Sequence, residues 1–83
     1  IVRLRIKIND RPGQLARITR IIADIGANVL EVTHQRLFGG VAAKSATIEG
    51  IIETRDAAQV RDLIAALESA SYKVKLLEGT AEG

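Results

Sequence analysis

A chain of 83 residues makes one small domain, able to bury about 60–65 % of the surface that it exposes when unfolded. Its composition is 47 % apolar, which excludes a disordered chain, and it has no cysteine, which excludes disulfides and thiolate metal sites. A net charge of +2 is too weak to argue for nucleic acid, and no apolar run approaches the ~18 residues of a membrane-spanning helix.

The absence of cysteine fits a reducing cytoplasm, the expected location. Ile1-Val2-Arg3-Leu4 carries no signal or transit pattern and enters a strand at once, so the chain is expected to be a portion of a longer polypeptide. Val2, Leu4, Ile6 and Ile8 alternate with Arg3, Arg5 and Lys7. That predicts a half-buried first strand over 2–8 with a basic outer face. Asn9-Asp10-Arg11-Pro12-Gly13 then breaks the alternation. Asn and Asp favour a turn through side-chain to main-chain hydrogen bonds, and Pro12 suits the first position of a helix.

From there the period is helical. Leu15, Ile18, Ile22 and Ile25 make one apolar stripe, with Arg17, Arg20 and Asp24 on the far side. Gly26 ends this helix as a residue free to take positive φ. A second strand is predicted over 28–37. Leu30 and Val32 favour one face and Val29 the other, which a bulge near the strand's start would reconcile.

Phe38-Gly39-Gly40-Val41 reads as a hairpin connection and 44–54 as a third strand. Ala46, Ile48 and Ile52 form its inward set, and Gly50 in the same register suggests close packing against a helix. Thr54 and Asp56 are candidate caps for the second helix; Asp56 with Gln59 has capping-box spacing. Val60, Leu63, Ile64 and Leu67 supply its stripe. Tyr72, Val74 and Leu76 alternate with Lys73 and Lys75 in a final strand, ahead of a small, polar, flexible tail over 79–83.

Strand, helix, strand, strand, helix, strand is the order of the ferredoxin-like βαββαβ fold, of the α/β (α+β) class. Two helices cannot cover both faces of a four-stranded sheet, so both are expected on one. Right-handed crossovers favour the strand order 4-1-3-2 with all neighbours antiparallel. Residues 1–78 are then a single domain.

Assembly or binding has to use the open sheet face or a loop. Arg3, Arg5 and Lys7 lie beside Thr47, Glu49 and Ile51, with Lys73, Lys75 and Leu77 at the edge; cross-strand pairing and a dimer face fit equally. His34, the single histidine, has no nucleophile or carboxylate set beside it by a motif. Glu49 and Glu53 lie about 13 Å apart along an extended strand, too far for paired acid–base work. No aromatic sits on the central strands to stack bases, so RNA binding is not expected. The domain itself is expected to hold neither a catalytic centre nor a metal.

The segment 9–15 is the candidate binding element. A tight turn running into a helix presents the N–H groups of Gly13, Gln14 and Leu15 to an anion at the positive end of the helix dipole. Gly13 has no side chain to obstruct an approaching ligand. A carboxylate fits there, its ammonium group met by a carbonyl or side-chain oxygen. A plain turn with a cap is the alternative, since every helix has such an end.

Asp10-Arg11-Pro12-Gly13-Gln14-Leu15, followed by Gly26-Ala27-Asn28-Val29, resembles the ACT family of amino-acid-sensing domains, over essentially the whole chain. Within that family, Asn28-Val29-Leu30-Glu31-Val32-Thr33-His34-Gln35-Arg36 and Glu53-Thr54-Arg55 are most similar to the C-terminal regulatory domain of short threonine dehydratases. The resemblance implies an allosteric module on a pyridoxal-phosphate (PLP) lyase that deaminates threonine. PLP and its lysine would then belong to a separate catalytic domain, with no cofactor in this one. It also implies a small amino-acid effector, with isoleucine, valine and threonine the first candidates. The contacts it implies are Asn9, Asp10, Pro12, Gly13, Gln14 and Leu15 on one side, with Asn28 and Val29 at a facing strand start. Pairing with a second copy, as a dimer through helix faces and strand edges, is implied too. The competing reading keeps the fold and the assembly but binds no effector.

Two departures from the family pattern stand out. Ser71 occupies a helix exit where glycine is usual, and positive φ there would cost about 1 kcal/mol. Val41-Ala42-Ala43 makes the hairpin short and plain, so a partner surface there differs.

Overall fold

Val2, Leu4, Ile6 and Ile8 are all buried while Arg5, Lys7 and Asn9 are exposed, so the first strand gives one face to the core and leaves the other open. The computed structural model describes residues 1–9, 11–36 and 45–79. Its elements are β1 (Val2–Asn9), α1 (Gln14–Ile25), β2 (Asn28–Arg36), β3 (Ser45–Glu53), α2 (Ala57–Ser69) and β4 (Lys73–Glu78). Asp10, the hairpin connection with Phe38 and Val41-Ala42-Ala43, and the tail beyond Gly79 lie outside the described residues.

The sheet order is β2-β3-β1-β4, the expected 4-1-3-2 order read from the other edge, and each neighbouring pair is antiparallel. Ile18 and Ile22 of α1 join Val60, Leu63 and Leu67 of α2 in one cluster with Leu4, Ile6, Ala46, Ile48 and Ile52. Both helices therefore cover the same sheet face. The fold is ferredoxin-like.

The apolar stripe of α1 is shorter than its spacing suggests. Ile18 and Ile22 are buried and Ile21 and Ile25 lie against the core, but Leu15 is 37 % exposed.

The bulge in β2 is present, with a corrected parity. Val29 pairs with Ile52 and Glu31 with Ile51, so Leu30 is the inserted residue. Leu30 is 48 % exposed, and it is Val29 and Val32 that both pack on the core. Gly50 also departs from expectation. A Cβ there would have the Ile52 side chain at 3.6 Å and the Glu31 main-chain oxygen at 4.0 Å. Its nearest neighbours belong to the sheet, at ordinary contact distance, and not to a helix.

Both helices leave by the same turn. Ala27 N–H donates to Ile22 O (3.2 Å) and Gly26 N–H to Ala23 O (2.9 Å); Tyr72 N–H donates to Leu67 O (3.1 Å) and Ser71 N–H to Glu68 O (2.9 Å). This is the Schellman pattern twice over. Gly26 has φ 92° and Ser71 φ 73°, so serine holds in one copy the left-handed conformation that glycine holds in the other.

Asp56 caps α2 by accepting from Gln59 N–H at 2.8 Å. Gln59 is 2 % exposed. Its side-chain oxygen accepts from Arg55 N–H (2.6 Å), one residue before the cap, and its nitrogen donates to Ile25 O (3.1 Å). The capping pair thus also fastens α2 to the end of α1.

Candidate functional site

Helix α1 starts at Gln14 and not at Pro12, because Gly13 stands at φ 88°, ψ −8°, outside the helical region. Those are the dihedrals of the third residue of a type II turn, for which proline followed by glycine is the favoured pair. Gln14 N–H closes the turn on Arg11 O with a long bond of 3.4 Å, and Arg11 N–H donates to Asn9 O at 2.9 Å. Of the three amides expected to face a ligand, that of Gln14 is therefore engaged.

No side chain caps α1, and its first turn carries no acidic residue, so the positive end of the helix dipole stays available among the described residues. A Cβ on Gly13 would meet nothing within 4 Å. The turn opens onto free space.

A cleft of about 350 Å³ lies beside it, between the end of β1, the first turn of α1 and the exit of α2. Its walls include Lys7, Asn9, Gln14, Arg17, Tyr72 and Lys73. Tyr72 is 7 % exposed, with its ring against the core and its hydroxyl donating to Gln14 Oε1 at 2.6 Å. The Arg17 guanidinium carbon stands 5.5 Å from the centre of that ring, a cation–π arrangement. The sequence marks Tyr72 as an inward residue and gives no hint of this polar contact, which joins positions 58 apart.

The structure gathers Asn9, Pro12, Gly13, Gln14 and Leu15 at one end of α1, and Asn28 and Val29 follow its other end. At 1.5 Å per residue, the 12 residues of α1 span about 18 Å. One copy does not bring the two halves together. Asn28 is exposed, whereas Val29 is half-buried against the core.

On the open face, Arg5 meets Glu49 at 3.3 Å and Arg3 meets Glu78 at 3.8 Å, the cross-strand pairing that the alternating charges suggest. Such exposed pairs contribute little to stability, typically below about 1 kcal/mol each. His34 is exposed on β2, in register with Ile48. Among the described residues no group of three His, Asp or Glu side chains is placed to hold a metal. No helix among them is long and apolar enough to cross a membrane.

The family model of the ACT domain matches residues 1–72. A curated relative, the L-threonine ammonia-lyase of Thermotoga maritima, is 37 % identical over 70 residues, which are 84 % of this chain and 18 % of that protein. The L-threonine ammonia-lyase of Geobacter sulfurreducens is 29 % identical over 77 residues, 93 % of this chain and 19 % of that protein. The chain spans less than a fifth of either relative. Among solved structures, the prephenate dehydratase of Staphylococcus aureus superposes with a TM-score of 0.74 at 20 % identity, over 90 % of this chain and 28 % of that one. At that identity the likeness is one of fold.

Proposed function

This chain belongs to the ACT domain family, and from that premise we propose that it senses a small amino acid and regulates a larger metabolic enzyme. The observation that carries the reading is Gly13, a left-handed residue with open space where a side chain would be, at the start of an uncapped helix. The ligand's carboxylate takes the amides of Gly13 and Leu15, since that of Gln14 closes the turn. The ligand's other side is met by Asn28 of a second copy, whose carboxamide both donates and accepts. A second copy is part of the proposal because α1 holds the two elements about 18 Å apart within one.

Leu15, exposed beside the turn, is placed to read an apolar side chain. Isoleucine, valine and threonine are the candidates, and one buried methylene discriminates among them by about 0.8 kcal/mol. The parent enzyme we favour is a PLP-dependent threonine ammonia-lyase, supported by the two curated relatives that bear that name. PLP supplies the electron sink for that deamination and belongs to the catalytic part of such an enzyme. None of the lysines in this chain is assigned to it.

A second reading, an assembly module without effector, is favoured by Leu30, which stands 48 % exposed on the edge strand β2. Calorimetric titration of the chain with each amino acid, with light scattering to establish its association state, separates the two. Saturable heat with one of the three supports sensing. A dimer that gives no heat and no chemical-shift change at millimolar amino acid supports assembly alone.

A further inference from the structure

The open face of the sheet is divided by charge. Arg3, Arg5 and Lys7 alternate with the buried residues of β1, so they stand on the side away from the helices. Residues paired across a ladder share a face. Lys75 pairs with Arg5, Lys73 with Lys7 and Glu78 with Arg3, so β1 and β4 make a basic half. Glu49 pairs with Arg5 and Thr33 with Glu49, while Glu31 pairs with Ile51 and Glu53 keeps the same parity on β3. The described open-face positions of β2 and β3 hold these acids and no cation. The order β2-β3-β1-β4 then sets an acidic half beside a basic one.

One copy does not neutralise this pattern. Arg5–Lys75 and Lys7–Lys73 are like charges set directly opposite each other, an arrangement that destabilises a sheet. Arg5 has Glu49 and Arg3 has Glu78. Lys7, Lys73, Lys75, Glu31 and Glu53 have no ion-pair partner among the described residues. A partner of one charge sign would answer half of the face and be repelled by the other half. The fitting partner carries the same two halves in reversed order.

We infer that this face docks on the open face of a second copy, about a two-fold axis running along the strands between β1 and β3. That rotation lays β1 and β4 of one copy over β3 and β2 of the other, basic half on acidic half. An axis across the strands would instead lay each strand on its own counterpart, like on like. Arg5 and Glu49, 3.3 Å apart beside the axis, face their copies crosswise. Two exposed pairs become one network of four charges, which is worth more than isolated pairs.

The dimensions allow it. Aligned sheets pack about 10 Å apart with strand directions within about 30°, a gap that lysine, arginine and glutamate side chains span. A face four strands wide and about eight residues long covers about 500 Å². Two stacked faces bury about 1,000 Å², the lower limit for a specific interface. The contact is therefore modest and sensitive to salt. None of these residues belongs to the effector site proposed above, so either reading can fail alone.

Charge reversal tests the orientation. One variant carries Lys73→Glu with Lys75→Glu, the other Glu31→Lys with Glu53→Lys, all at exposed positions. Sedimentation equilibrium measures association, and circular dichroism shows that each variant is folded. The unaltered chain is expected to dimerise, more weakly as sodium chloride rises. Each variant alone sets like charges face to face and is expected to associate at least about tenfold more weakly. Mixed in equal amounts, the two variants restore opposite charges on both sides of the axis and are expected to pair with each other. Failure of the mixture to pair, or variants that dimerise alone as well as the unaltered chain does, overturns the proposal. An unaltered chain that stays monomeric at millimolar concentration leaves the face to a different partner and overturns it too.

Discussion

The side-chain nitrogen of Gln59 donates to the main-chain oxygen of Ile25 across 3.1 Å, joining the start of α2 to the end of α1. Its oxygen accepts from Arg55 N–H at 2.6 Å, so a buried carboxamide is satisfied at both ends. Gln59→Leu keeps the volume but strips both partners, and is expected to cost about 2–4 kcal/mol. Asp56→Ala removes only the cap and is expected to cost about 1 kcal/mol. Urea unfolding of the two variants checks the order. Equal losses would contradict a linking role for Gln59.

The paired helix exits predict opposite signs for two substitutions at the same structural position. Ser71→Gly relieves a left-handed serine and is expected to stabilise by about 0.5–1 kcal/mol. In a domain of this size that raises the thermal midpoint by several degrees. Gly26→Ala forces a side chain to φ 92° and sets its Cβ 3.4 Å from Gln59 Nε2. It is expected to destabilise by about 1–2 kcal/mol. Thermal unfolding that lowers the midpoint of both variants would refute the pairing.

Tyr72→Phe removes the hydroxyl that holds Gln14 and leaves the ring in the core. A loss of about 1 kcal/mol is expected, with faster hydrogen exchange in the first turn of α1. Tyr72→Ala also empties the core position and is expected to cost about 3–5 kcal/mol. In a double-mutant cycle, Gln14→Ala should add little to Tyr72→Phe, because both delete one bond. Full additivity would show that the bond does not hold in solution.

A binding site shared between copies makes a prediction of its own. Gly13→Leu and Asn28→Ala chains should each fail to bind the amino acid while remaining folded. Mixed and allowed to exchange, they form pairs in which one site has both native elements. About a quarter of all sites should then recover, by random pairing across a two-fold interface. Calorimetry on the mixture measures that fraction. No recovery in a mixture shown to contain mixed dimers would count against a composite site.

Much of this fold could be read from the chain, where the controlling interactions are local. The uninterrupted alternation from Val2 to Ile8 settles which face of β1 is buried. Gly26 ends α1 by its own dihedral freedom, and Asp56 caps α2 within three residues of the amide that it accepts from. The turn at Pro12-Gly13 was visible too, but its type moved the helix start to Gln14, because a left-handed Gly13 cannot be a helical residue.

What the sequence by itself determined was therefore the order of elements, their caps and their parity wherever the period ran unbroken, since each depends on neighbours one turn or one pleat away. The tertiary structure alone decided the rest. It made Leu30 the inserted residue, because β3 fixes the register of β2. It buried Gln59 between two helix ends and set the Tyr72 hydroxyl on Gln14, contacts that span 34 and 58 positions. It placed Lys7 opposite Lys73, and it held Gly13 and Asn28 at the two ends of one rigid helix. Residues far apart in the chain meet only after the crossovers close, and a spacing along the sequence carries no measure of the distance across a packed sheet.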